Sequence, residues 1–170
     1  QGLAAGNITV TAADGNFNQD FVVWTGSNDD TVTIGGINLD GETVTYLYAN
    51  EGDDTVSIAV PDELLTPAHV GAGLATVRDR RLEVHGQTGR DLIDASRAKL
   101  AVEAYGGEQA DLIKGGQGDD VIFTGEGINL VFGGEGSDEV IGGSSGDVIL
   151  GDHGQAIYDT SAGPHTVFSL

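Results

Sequence analysis

The sequence predicts an all-β solenoid, and three observations predict it. Glycine is abundant, 28 of 170 residues beside only 3 prolines, and without a collagen period this calls for many tight turns. Short β-branched runs recur along the chain, namely ITVT, FVVW, TVTI, TVTY and TVSI, and such runs favour strands. From Gly106 to Asp159 the chain divides into nines without a gap, the mark of a repeat architecture.

Residues 1–76 read as an irregular, longer-coil part of the solenoid or an N-terminal cap. Val10, Val22, Val32, Val44 and Val56 are separated by 12, 10, 12 and 12 residues, and each is read as the inward residue of its strand. SNDD (27–30) and EGDD (51–54) are turn-like acidic stretches before two of these strands. Residues 61–76 break the period and are expected to loop out, with one helical turn after Pro61. Thr-Val-Thr at 9–11, 31–33 and 43–45 is ordinary strand composition, not an ice-binding rank, because Phe21-Val22-Val23 interrupts it.

Residues 77–105 carry degenerate nines: VRDRRLEVH, GQTGRDLID and ASRAKLAVE, followed by Ala104-Tyr105 as a two-residue insertion. Residues 106–159 hold the regular array: GGEQADLIK, GGQGDDVIF, TGEGINLVF, GGEGSDEVI, GGSSGDVIL and GDHGQAIYD. Position 8 is always apolar or aromatic. Position 6 is Asp111, Asp120, Asp138 and Asp147, with Asn129 and Ala156 as the departures. Residues 160–170 are read as a tail or cap.

The period carries a chemistry. Glycines at positions 1, 2 and 4 let six residues turn tightly. The last four positions then form a short strand in which positions 6 and 8 both face inward. Position 8 supplies a thin apolar core, and position 6 sends a carboxylate inward at the turn. Two turns complete one coil, so alternate turns stack on one edge and their carboxylates would repel. A hard cation between them, with carbonyl oxygens of the turns as further ligands, removes the conflict. Calcium suits such a site because it accepts many oxygen ligands in flexible geometry, where magnesium demands a stricter octahedron.

GGQGDDVIF and GGEGSDEVI fully match Gly-Gly-x-Gly-x-Asp-x-U-x, with U large and apolar. In this the chain resembles the RTX (repeats-in-toxin) hemolysin-type nonapeptide family. The resemblance implies a right-handed parallel β-roll or β-helix, several bound calcium ions, calcium-coupled folding and export from a bacterial cell. Stacking of the turns then gives candidate ligands on two edges. On one edge they are Gly115, Gly116, Gln117, Gly118 and Asp120 with Gly133, Gly134, Glu135, Gly136 and Asp138. On the other they are Asp111, Gly125, Gly127, Asn129, Gly143 and Asp147. The pair Asp120/Asp138 is the best site. Asp138 should lack a carboxylate partner beyond it, since Ala156 stands there.

Net charge is −20, which argues against nucleic acid, whose phosphates need a basic surface. All seven Lys and Arg lie within residues 78–114. Arg81, Arg90 and Lys99 fall nine apart, and are read as neutralising Asp79, Asp91 or Asp94 in place of calcium. A polysaccharide-binding or polysaccharide-modifying module is the alternative. It would use the long coils or this basic middle, although no aromatic platform is legible. Outward apolar residues, Leu112, Leu130, Phe132, Val148 and Leu150 on one side, suggest a contact surface for a neighbouring domain or for the chain's own tail. No apolar run is long enough for a membrane span. There is no Cys, and the four His show no zinc spacing. GxSxG and P-loop motifs are also lacking, and the carboxylates follow the repeat phase, so an enzyme is not expected. The expected function is a calcium-binding module of a secreted or cell-surface protein, such as an adhesin.

Overall fold

Alternating apolar and polar residues in short β-branched runs favour strands that bury one face, and here they build two parallel sheets. The computed structural model describes residues 20–35, 44–60, 81–151, 157–159 and 166–169. Among them, sheet A contains β1 (Phe21–Gly26), β3 (Val44–Glu51), β5 (Arg81–Thr88), β7 (Val102–Glu108), β9 (Val121–Gly125), β11 (Glu139–Ile141) and β13 (Ile157–Asp159) in that order. Sheet B contains β2 (Thr31–Ile34), β4 (Thr55–Ile58), β6 (Leu92–Asp94), β8 (Leu112–Lys114), β10 (Leu130–Phe132), β12 (Val148–Gly151) and β14 (Thr166–Ser169). Every neighbour pair is parallel, and consecutive strands alternate between the sheets. The protein is therefore an all-β parallel solenoid, and its described elements contain no helix.

The step from one coil to the next is 24 residues at first, then 37, then 20 and finally 18. Residues 61–80, with the loop and helical turn expected after Pro61, lie outside the described residues, as do Val10 and Ala156. The chain nevertheless re-enters the same two sheets, because Leu47 pairs with Val84 and Val56 with Ile93.

The core is one side chain thick on each face. Ile113, Ile122, Val131, Val140 and Ile149, all at position 8, are buried, and so are Leu82, Val84, Ile93, Leu100 and Val102 upstream. Replacing one of the stacked isoleucines by Ala would cost about 2–5 kcal/mol.

Three expectations change. The recurring valines are not all inward: Val22 is exposed, and in β3 the buried residues are Thr45, Leu47 and Ala49 while Val44 is only partly buried. Inward parity in the long strands is set by register with Leu82 and Val84, not by the valine spacing. The two extra residues lie elsewhere as well. Ala104 pairs with Ile122 and Val102 stands opposite Asp120, whereas Asp94 pairs with Lys114. The insertion is thus taken up in the turn around Ala95–Arg97, where the backbone N–H and hydroxyl of Ser96 both donate to Asp94 Oδ1. Finally, β14 continues sheet B beside β12, so this part of the C-terminal segment forms a further rung and does not cover the outer apolar face.

An aromatic column runs along the outside of sheet A. Trp24, Tyr48, His85, Tyr105 and Phe123 occupy one register position in successive coils. Their rings stack with centroids 4.5, 4.7, 4.3 and 4.6 Å apart. Burial lowers the pKa of His85, against an opposing effect of Glu103, which favours a neutral ring in the stack. Adjacent rings lie face to face and cover one another, a geometry suited to stiffening the sheet.

Candidate metal centre

From β1 to β12, each passage from sheet A to sheet B is aligned over six positions, 25–30, 49–54, 86–91, 106–111, 124–129 and 142–147, of which all but the last begin within the strand of sheet A. The sixth residues are Asp30, Asp54, Asp91, Asp111, Asn129 and Asp147, and they stand above one another. The reason is a main-chain bond. The backbone N–H of Asp30 donates to Asp54 Oδ1 (2.7 Å), Asp54 to Asp91 (2.9 Å), Asp91 to Asp111 (2.9 Å), Asp111 to Asn129 (2.8 Å) and Asn129 to Asp147 (3.0 Å). An inward oxygen at position 6 thus satisfies an N–H that the sheet ladder cannot reach. Bonds of this kind to a charged acceptor contribute about 1.5–3 kcal/mol each.

Only one carboxylate oxygen is used this way. Oδ2 of Asp30, Asp54, Asp91 and Asp111 is buried without a hydrogen-bond partner. Asp54, Asp91 and Asp111 are 2%, 3% and 3% exposed, so solvent does not compensate. Burial, the largest cause, raises the Asp91 carboxyl to about 6 and Asp111 to about 7, and raises Asp54 as well. Glycine at position 1 makes the room: a Cβ on Gly86 would lie 2.3 Å from Asp91 Oδ2, and one on Gly106 would lie 2.6 Å from Asp111 Oδ2.

The Asn129 level is built differently. Asn129 Oδ1 accepts the Asp111 N–H, which fixes the amide's orientation. Its Nδ2 donates to Thr124 O (3.3 Å), Gly127 O (3.4 Å) and Asp147 Oδ1 (3.1 Å). The Thr124 hydroxyl donates to Asp147 Oδ2 (2.9 Å) and accepts from the Gly143 N–H (2.9 Å). The two departures from the repeat pattern, Thr124 and Asn129, therefore act together. Hydrogens fill the place where two turn carbonyls and a carboxylate converge.

The opposite edge joins sheet B to sheet A. Here turns 115–120 and 133–138 stack, and the Asp120 N–H donates to Asp138 Oδ1 (3.0 Å). Asp120 Oδ1 accepts from the Val102 N–H (2.8 Å) and Oδ2 from the Gly116 N–H (2.6 Å). Both carboxylates are buried. Asp120 is pushed up to about 7, first by burial and then by the like charges of Asp138 and Asp119, against the bonds that it accepts. A Cβ on Gly115 would fall 2.7 Å from Asp120 Oδ2, and one on Gly133 would fall 2.8 Å from Asp138 Oδ2. Gln117 and Glu135 lie at the outer surface of these turns, where Gln117 N–H donates to Ala98 O and Glu135 N–H to Gly116 O.

Among the basic residues the structure places Lys114 and the backbone of Arg90, while Asp79 and the side chain of Arg81 lie outside the described residues. Asp94 pairs with Lys114 at 2.9 Å, a residue outside the nine-residue phase of Arg81, Arg90 and Lys99. Burial opposes the charge of Asp94, but bonds from Ser96 and Lys114 outweigh it and hold the pKa down. The backbone N–H of Arg90, not its guanidinium, bonds Asp53 Oδ1 (2.9 Å).

The donor set fits calcium. It consists of oxygen alone, with buried carboxylate oxygens that lack a partner and carbonyls of tight turns. No Lys or Arg occurs from residue 115 to 170 to neutralise Asp120, Asp138 or Asp147. Among the described residues no three His, Cys, Asp or Glu side chains converge, so a cation here would rely on carbonyls as much as on carboxylates.

Sequence comparison gives the same answer. The family model of the RTX calcium-binding nonapeptide repeat matches residues 103–131 and 123–155, with four copies. Neither the curated proteins nor the solved structures yield a match. The match falls on the coils whose step has settled to 18 residues, so the chain from residue 103 to 155 is similar to RTX calcium-binding nonapeptide repeats.

Proposed function

We propose that the chain is a calcium-binding β-roll module of a larger secreted or cell-surface protein of bacterial type, folding on calcium outside the cell and serving a structural or adhesive role, not a catalytic one. The observation that carries this reading is the stacked, buried pair Asp120 and Asp138 in a segment without a single Lys or Arg. Bound calcium supplies the positive charge that this segment lacks. The carboxylates of Asp120 and Asp138, with carbonyl oxygens of turns 115–118 and 133–136, would hold it on one edge. Asp111 would do so on the other. Gly125, Gly127, Gly143 and Asp147 border the level that Asn129 already fills with its amide. In low calcium the like charges oppose folding, and in high calcium their neutralisation permits it.

The aromatic column does not favour the polysaccharide alternative, because Tyr48, His85, Tyr105 and Phe123 cover one another's faces and only the end ring, Trp24, is largely exposed, at 61%. On the outside of sheet B, Leu130 and Phe132 are more than a third exposed, and a neighbouring domain of the host protein is the proposed cover.

The test is a calcium titration of metal-stripped protein by far-UV circular dichroism, with magnesium as control. A calcium-selective transition to β-structure is expected, weakened most by Asp120→Asn with Asp138→Asn. A chain fully β without calcium and indifferent to it would overturn the proposal.

A further inference from the structure

The column of sixth residues does not stop where the nonapeptide repeats stop. Asp91 and Asp54 lie upstream of residue 103, in coils whose steps are 20 and 37 residues. Their turns still share the backbone of the repeat turns. The second position has positive φ in all four of 49–54, 86–91, 106–111 and 124–129: Asn50 at 77°, Gln87 at 76°, Gly107 at 115° and Gly125 at 82°. The fourth position does too: Gly52 at 128°, Gly89 at 140°, Gln109 at 77° and Gly127 at 99°. Holding Gln87 in this region costs about 1–2 kcal/mol, and Asn50 less, so the shape at Gln87 is imposed by the stack.

The Asn129 level shows what such a turn points at its sixth residue. There, the carbonyls of the first and fourth turn positions, Thr124 O and Gly127 O, both accept hydrogens of the amide. In turn 86–91 the same positions are Gly86 and Gly89, and the side-chain atom in place of the amide nitrogen is Asp91 Oδ2. An anionic oxygen then stands where a donor belongs, and that oxygen is buried and unpartnered. Asp54 Oδ2 repeats the situation one coil earlier. A positive group between the carboxylate and the carbonyls would resolve both levels.

We propose that Asp91 and Asp54 form two further calcium sites, upstream of the segment that matches the nonapeptide-repeat family, so that the ion column on this edge extends into the degenerate and irregular coils. The inference rests on the calcium reading above and deepens it. The Asp91 site is the stronger. Its first turn residue is Gly86, whereas the turn of Asp54 begins with Ala49, whose methyl narrows the space. Calcium therefore clamps β3–β6 to the repeat array as well as ordering the array itself.

The test uses the full chain and equilibrium dialysis with labelled calcium. Asp91→Asn should lower the number of ions bound at saturation by one, and Asp54→Asn should remove a weaker one. Asn is the chosen substitution because Asn129 shows that its amide satisfies this turn without metal. If the wild type binds calcium and Asp120→Asn/Asp138→Asn lowers the count while Asp91→Asn and Asp54→Asn do not, this inference is overturned and the module reading stands. If the wild type binds none, both fall. A second readout covers a variant that does not fold. In the Asp120→Asn/Asp138→Asn protein, calcium should still raise amide hydrogen-exchange protection in Val44–Glu51 and Leu92–Asp94. Protection there that ignores calcium would also overturn the inference.

Discussion

Asn129→Asp tests whether an amide replaces an ion in this solenoid. The substitution keeps the shape and the Oδ1 acceptor for the Asp111 N–H. It replaces Nδ2, which donates to Thr124 O, Gly127 O and Asp147 Oδ1, by an anionic oxygen. Two new carboxylate neighbours arise, with Asp111 below and Asp147 above. At a strand spacing of about 4.8 Å and an effective dielectric of about 20, each pair repels by roughly 3 kcal/mol. Proton uptake caps the cost: lifting a carboxyl from about 4 to 7 costs about 4 kcal/mol. A net penalty of about 4 kcal/mol without calcium follows, close to the range for breaking a buried ionic contact. That is about three decades in the folding constant. Shared by three or four ions that bind with folding, it would move the half-folding calcium concentration up by roughly 5–10-fold. At saturating calcium the variant should bind one ion more than the wild type. Circular dichroism titration reads the first quantity and dialysis the second. An unchanged midpoint together with an unchanged ion count would refute the reasoning.

Two further outcomes follow from the same geometry. Gly89→Ala should destabilise the calcium-loaded protein by about 2–5 kcal/mol in chemical denaturation, because φ is 140° and the new Cβ would lie 1.7 Å from Gly52 O; a change under about 0.5 kcal/mol would show that this turn relaxes freely. In calcium-free, resin-stripped buffer, β-structure should increase as pH falls from about 7 towards 4. Asp91, Asp111 and Asp120 have folded pKa values of about 6, 7 and 7, well above the ordinary carboxylate value of about 4, so in that window the folded form binds more protons and stability falls as pH rises. With calcium the sign should reverse, since protons then displace the ion; the same pH trend in both buffers would contradict the assignment.

The parts of the fold legible in the sequence are those where the period is constant. Positions 6 and 8 of the nines face inward as expected, from Asp111 to Ile149, because period 9 and strand alternation leave one register. Upstream, steps of 24, 37 and 20 residues hide the fact that Asp30, Asp54 and Asp91 belong to the same column. A local signal existed: Asp-Thr-Val at 30–32 and 54–56, and Asp-Leu-Ile at 91–93 and 111–113, repeat one triplet. The aromatic column had no such signal, since Trp24, Tyr48, His85, Tyr105 and Phe123 are unequally spaced and only strand register aligns them. Nor could composition tell that Lys114 meets Asp94, because the turn at Ala95–Arg97 absorbs two residues and shifts the phase.

The N–H ladder and the charge column are one design with opposing terms. Each added Asp gains a bond of about 1.5–3 kcal/mol from the coil before it, and adds a repulsion of roughly 3 kcal/mol with its ionised neighbour. The two nearly cancel, so an uncompensated run of carboxylates would not hold the coils together. The protein shows two internal remedies: a lysine at Asp94 and an amide with a hydroxyl at Asp147. Neither reaches Asp54, Asp91 or Asp111, whose second oxygens have no donor. On the other edge the bonds that Asp120 accepts do not offset its burial and its anionic neighbours, and its pKa stays raised. Compensation at these positions has to come from solution, as a proton or as a cation. At neutral pH a carboxyl near 7, as at Asp111 and Asp120, has lost about half of its proton, and one near 6, as at Asp91, about nine-tenths. That leaves the cation as the group that decides whether the coils stay stacked, and gives the column its sensitivity to calcium.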